Sequence, residues 1–253
     1  MYLKFDDADL MVGTYGNGPR TLVGHGGWVG SGELWSGPFE ILSRSWRTVA
    51  IDHRGSGASR HRAPRITFEA LTSDLLRVLD ALSIESCVLA GESMGALVVL
   101  EAALRWPDRV DGLVIVDGRS SGDRTPASER LVAGCRADFG ATMKAFVDAC
   151  VPEEDCAAER SWGELIVNRS DAASAVQMLE CVEGLDVESR LASLAVPTLI
   201  LHGSRDAIVP LACAEQLAAR IRGSRLAVAD GAGHVPTVTR PRWVAEQIEA
   251  FFG

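Results

Sequence analysis

Three side chains far apart in the chain carry the chemistry of nucleophilic catalysis. Ser93 lies in Gly91-Glu92-Ser93-Met94-Gly95, a Gly-x-Ser-x-Gly pattern with the apolar run 87–90 before it and the apolar run 96–100 after it. Strand, abrupt turn and helix in that order drive the serine towards positive φ. The flanking glycines remove Cβ atoms where strand and helix would collide. The hydroxyl then stands above a helix N-terminus, whose unpaired N–H groups and dipole suit a developing oxyanion. Such a hydroxyl needs a base, and the base needs a group to orient it. His234, between Gly233 and Val235-Pro236, is the expected base. Asp206, in His202-Gly203-Ser204-Arg205-Asp206-Ala207-Ile208-Val209-Pro210, is the expected orienting acid. Asp117 also ends an apolar run and is the alternative. Asp206 is preferred because Pro210 starts a helix just after it and because its loop neighbours that of His234. For the oxyanion, the N–H of Met94 is one expected donor. The second should come from residues 25–28, with Gly27 ahead of Trp28.

The other histidines are expected to serve the framework. His25 braces a glycine loop, His53 and His61 belong to an arginine-rich turn that is structural or exposed, and His202 bonds backbone at a strand end. Six cysteines are scattered without a Cys-x-x-Cys pair or matching histidines, so no metal site is expected. Reduced, mostly buried thiols are expected, and the closeness of Cys150 to Cys156 leaves a disulfide between them open.

Positioning these groups requires an alternating chain. Residues 9–15 can pair with the first residues as a hairpin, and 20–24 form a strand running into the 25–28 loop. A helix is expected over 33–44, a strand over 47–51, and a helix capped by Thr67 reaching residue 82. The strand and helix around Ser93 follow, then a strand over 110–116. From 119 to 195 strands are absent and polar helical patches replace the alternation. It resumes with a strand over 198–202, a helix over 210–221, a strand over 225–229 and a last helix over 242–252. That pattern predicts a mainly parallel sheet with helices on both faces, and such sheets carry their sites at the carboxyl ends of the strands.

The 253 residues are 47% hydrophobic, enough for one substantial core, and carry a formal net charge of −9. That sign argues against nucleic acid or an anionic membrane as partner. Neither a secretory signal nor an apolar run of membrane-spanning length is visible, so a cytoplasmic location is expected. The oligomeric state is not legible.

Several motifs together resemble the α/β-hydrolase superfamily, in its small capped branch. They are His25-Gly26 after a strand, Asp52-x-Arg54-Gly55-x-Gly57-x-Ser59, Gly91-x-Ser93-x-Gly95, His202-Gly203-x-x-Asp206-x-x-x-Pro210 and Gly231-x-Gly233-His234. The resemblance implies a core of residues 1–118 and 196–253, with 119–195 as a helical cap. Glu92 departs from the family, standing where histidine is frequent, and Thr239-Arg240-Pro241 lacks the acidic residue that often precedes that proline. The chain is also similar to enol-lactone hydrolases, esterases and cofactor-free perhydrolases.

The reading that follows is a serine hydrolase of carboxylic esters or lactones that works through an acyl-enzyme and needs no metal or organic cofactor. The alternatives are a carbon–carbon bond hydrolase acting on a β-diketone with the same residues, a lyase or cyclase, or a ligand receptor. The 119–195 segment carries eight basic and fourteen acidic residues, a formal charge of −6. Small, neutral, moderately hydrophobic substrates are therefore expected over those with a free carboxylate. A basic pocket drawn from Arg119, Arg124 or Arg169 would reverse that preference.

Overall fold

The computed structural model describes residues 1–253. In chain order the first half runs β1 (Tyr2–Lys4), β2 (Ala8–Tyr15), β3 (Arg20–His25), α1 (Ser36–Leu42), β4 (Trp46–Ile51), β5 (Arg60–His61), α2 (Phe68–Ala81), β6 (Cys87–Glu92), α3 (Met94–Arg105) and β7 (Val110–Val116). Four helices follow without a strand: α4 (Pro126–Ala137), α5 (Phe139–Cys150), α6 (Ala157–Val167) and α7 (Ala172–Cys181). The chain closes with β8 (Thr198–Gly203), α8 (Leu211–Arg220), β9 (Arg225–Ala229), α9 (Pro236–Thr239) and α10 (Pro241–Phe252).

The strands lie in the order β1-β2-β4-β3-β6-β7-β8-β9, with β5 paired to β2. From β4 to β9 every pairing is parallel, and β1, β2 and β5 add an antiparallel edge. β6 and β8 are buried along their whole length. The unbroken apolar runs Cys87–Ala90 and Leu199–Leu201 are what a parallel strand covered on both faces requires. One face is packed by α1 and α10 through Trp35, Phe39, Leu42, Val244 and Ile248. The other carries the larger core, built around Leu71, Leu75 and Val78 of α2, Leu97 and Leu100 of α3, and Leu217 of α8. Strand order turns outward in both directions between β3 and β6, and a crevice opens beyond their carboxyl ends at such a point.

Local chemistry sets the helix ends. Thr67, Thr125, Asp138 and Asp171 each accept a backbone N–H of the first turn with a side-chain oxygen, at the starts of α2, α4, α5 and α7. The single helix expected over 33–44 is instead a 3₁₀ turn at Gly32–Trp35 followed by the short α1. Pro38 has no N–H to give, so an α-helical ladder can begin only just upstream of it.

The Asp52-to-Ser59 motif acts as a brace. Buried Asp52 accepts from the N–H groups of Gly32 and Ala58, and Arg54, 1% exposed, is bonded twice to Asp74 and once to Asp7. Removing one partner of so buried a pair typically costs about 3–5 kcal/mol.

The helical segment between β7 and β8 leaves and rejoins the sheet at one place. There Gly122 N–H bonds Leu185 O, and Val187 N–H bonds Ser120 O. All six cysteines are free thiols, Cys150 and Cys156 included. No helix is long and apolar enough to cross a membrane.

Candidate active site

Ser93 sits between β6 and α3 at φ +54° and ψ −118°, the strained turn expected from its motif. A Cβ on Gly91 would strike the Gly95 carbonyl, and one on Gly95 would press on the carbonyls of Gly26 and His25. The turn can therefore form only with glycine on both sides. His234 follows β9, and its Nε2 lies 2.9 Å from Ser93 Oγ. Its Nδ1 lies 2.7 Å from Asp206 Oδ2. The other Asp206 oxygen accepts the N–H groups of Ile208 and Val209 at 2.7 and 2.9 Å. Burial opposes the charge on Asp206, but the His234 ring and those two N–H groups outweigh it and hold the carboxyl below its ordinary range.

Asp117, the alternative acid, does not touch His234. It is fully buried at φ +47°, and its Oδ1 accepts the Gly203 N–H at 2.8 Å. Burial, and next the carboxylate of Asp206, push its pKa well up. Asp117, Asp206 and His234 bring ligand-type atoms within 4.8 Å of one another. Asp206 and His234 are already bonded to each other, which leaves a cation no three free donors there.

The loop after β3 approaches Ser93 closely. A Cβ on Gly27 would lie 3.1 Å from Ser93 Cβ. Neither Gly27 nor Trp28 gives its backbone N–H to a protein acceptor, so both remain open to a ligand, as does the N–H of Met94 at the head of α3. Two histidines hold this loop from behind. His25 and His53 stack at 4.9 Å, and His53 Nε2 is hydrogen-bonded to the Gly27 carbonyl at 2.8 Å. Burial, with the neighbouring His53, brings the His25 pKa down to about 3, so this ring is neutral. His202 bonds the Val209 carbonyl at 3.0 Å, the backbone role expected of it.

Two cavities meet at Ser93, with Trp28 and Phe146 lining both. Those rings pack edge to face at 5.1 Å, and the Trp28 indole N–H donates to Ala175 O on α7. The first cavity, about 50 Å³, is walled by Val29, Leu34, Val147, Val167 and Val238, and its carboxyls are Glu92 and Glu159. The second, about 100 Å³, runs under α4 past Leu97, Leu131 and Val182 and includes Arg119. Glu92 is 1% exposed and accepts the Thr237 hydroxyl at 3.0 Å. Burial pushes its pKa up to about 7, against the pull of His234 and that hydrogen bond.

Sequence reasoning marked Glu92 as a departure from the family pattern without giving it a wall of the site. It had no means of finding the Trp28–Phe146 partition, which joins residues 118 positions apart. Nor could it find Glu153, a buried carboxylate of the inserted segment that accepts the Gly233 N–H at 3.0 Å, while His234 N–H bonds Cys150 O at 2.8 Å. Of the remaining cations it named, Arg124 pairs with Glu129 and Glu183, and Arg169 pairs with Glu33.

Comparison with known proteins agrees with this architecture. A family model described as "Serine aminopeptidase, S33" matches residues 39–238. The protein described as "Putative carbamate hydrolase RutD" from Caulobacter sp. (strain K31) is 31% identical over 233 residues, covering 88% of this chain and 86% of that one. Among solved structures, a hydrolase from Pseudomonas aeruginosa PA01 superposes with a TM-score of 0.91 at 24% identity, over 100% of this chain and 98% of that one. The enol-lactonase from Burkholderia xenovorans LB400 does so with 0.89 at 22%, over 99% of each.

Proposed function

The chain belongs to the serine aminopeptidase S33 family of the α/β-hydrolase superfamily and is a hydrolase, and on that premise we propose that it cleaves a carboxylic ester or lactone through an acyl-enzyme on Ser93. The observation that carries the reading is the unbroken chain of hydrogen bonds from Ser93 Oγ through His234 to Asp206, at the mouth of two cavities. His234 takes the Ser93 proton as Oγ attacks the carbonyl carbon. The oxyanion is met by the N–H of Met94 and by that of Gly27, with Trp28 the next donor in line. Asp206 holds the imidazole with Nε2 towards the serine and stabilises the imidazolium. The imidazolium gives its proton to the leaving alkoxide, and water activated by His234 then releases the acid.

A carbamate is the second reading, favoured by the name of the 31% identical relative. The same residues would attack a carbamoyl carbon. The test is labelling and turnover together. A fluorophosphonate should modify Ser93, and p-nitrophenyl acetate or butyrate should be turned over continuously. A single turnover with retained product would mark a receptor, and absence of label on Ser93 would remove the nucleophile.

A further inference from the structure

The two cavities at Ser93 differ in charge. Glu92 and Glu159 line the first, with no basic side chain beyond His234 itself. Arg119 lines the second, and no carboxylate does. Arg119 is partly buried at the carboxyl end of β7, two residues past Asp117. It makes no hydrogen bond and no ion pair, and Glu188, reached by its neighbour Ser120, is paired with Arg220. The same cavity is lined by Leu131, Leu179, Val182 and Phe146. A partly buried cation that lines a cavity and has no protein counter-charge is free to pair with an anion of the ligand.

No acidic residue of the segment pairs with Arg119, and besides Glu188 five of them are held by other cations. Glu129 and Glu183 are held by Arg124, Glu180 by Arg136, and Asp148 and Glu164 by Lys144. These pairs are largely exposed, and salt screens exposed charges beyond about 8 Å at physiological ionic strength. For a ligand already in contact, a cation lining the cavity outweighs exposed charges more than a screening length away.

We propose that the second cavity binds a carboxylate, or an anion of that geometry, on the substrate, held by the fork of Arg119 while the scissile carbonyl lies at Ser93. The preferred substrate is then a short ester or lactone with one negative charge a few bonds from the reacting carbon. This replaces the neutral-substrate expectation and rests on Ser93 being the reacting residue. A planar guanidinium accepts a carboxylate through two parallel N–H···O bonds, a fit a lysine cannot reproduce.

The test uses two matched pairs, each with one scissile ester. Monomethyl succinate against methyl succinamate puts the charge on the acyl side, and O-acetylglycolate against its amide puts it on the alcohol side. In one pair the acid should exceed the amide in kcat/KM by roughly tenfold or more, at both low and moderate salt. Arg119→Gln should bring that ratio to one or below, and Arg119→Lys should fall between. Preference for the amide in both pairs, or an unchanged ratio in Arg119→Gln, overturns the proposal. Fluorophosphonate labelling and p-nitrophenyl acetate turnover report separately on the hydrolase reading. If turnover is lacking, succinate binding decides: it should raise the Tm of the wild type and not that of Arg119→Gln, and equal shifts overturn the proposal.

Discussion

The carboxyl edge of the sheet and the helical segment above it are built on different rules. At the edge, each proposed reacting group is held by backbone: Ser93 by a turn that only glycine neighbours permit, Asp206 by two N–H groups, Gly27 by its approach to Ser93. In the segment, position depends on side chains meeting at long range: Phe146 on Trp28, Glu153 on Gly233, the Trp28 indole on Ala175. On the proposed function, chemistry is thus carried by groups that the backbone itself positions. On that reading the choice of substrate falls to the helical segment, whose side chains line both cavities.

The sharpest way to break that division is at its most rigid point. Ser93→Ala should lower turnover by up to ~10⁶, the scale seen when a triad nucleophile is lost. Near wild-type rates in that variant, measured on p-nitrophenyl butyrate, would move the reaction off the sheet edge. Next comes the acid. Asp206→Asn should cost on the order of 10⁴ in kcat by favouring the wrong tautomer of His234. Asp117→Asn should cost far less, and a reversed order of the two losses would place the acid on β7.

Glu92 tests the boundary between the regions through stability. Its carboxyl is protonated in both folded and unfolded chains below about pH 4.5. Between there and about pH 7 the unfolded chain releases the proton first, so stability falls as pH rises. Above that window the penalty is fully present. Glu92→Gln should remove this dependence, worth about 3 kcal/mol across the window, in urea unfolding curves from pH 4 to 8. A variant that keeps the wild-type slope would show that the carboxyl is not the buried acid.

The smallest effect is expected at the tie between the regions. Glu153→Gln exchanges a charged acceptor for a neutral one at Gly233 and should destabilise by roughly 1–2 kcal/mol. The loss should appear as a lower urea midpoint with an unaltered m-value. A loss well above that range would mean that the tie carries more of the edge's stability than one hydrogen bond.

The same division explains what could be read beforehand. Ser93, Asp206 and His234 were legible because short-range grammar surrounds them: apolar runs of strand length, glycines two residues away, a proline at a helix start. The parallel sheet was legible for that reason too. The winding of 32–42 was not, because it depends on where Pro38 falls in a first turn. Arg119 could be named from sequence but not weighed, since charge counted along 119–195 says nothing about which carboxylates already have partners. Glu153 counts among fourteen acids on paper, yet it is 3% exposed and bonded to backbone.

That bond has one more effect. The end of α5 and the loop after it are fastened at two adjacent peptide units, Gly233 and His234, through the Cys150 carbonyl and Glu153. A bulky group that wedges α5 outward from Trp28 therefore pulls on the imidazole as well. On the proposed function, bulk added to a substrate on that side should therefore show as a lower kcat more than as a higher KM.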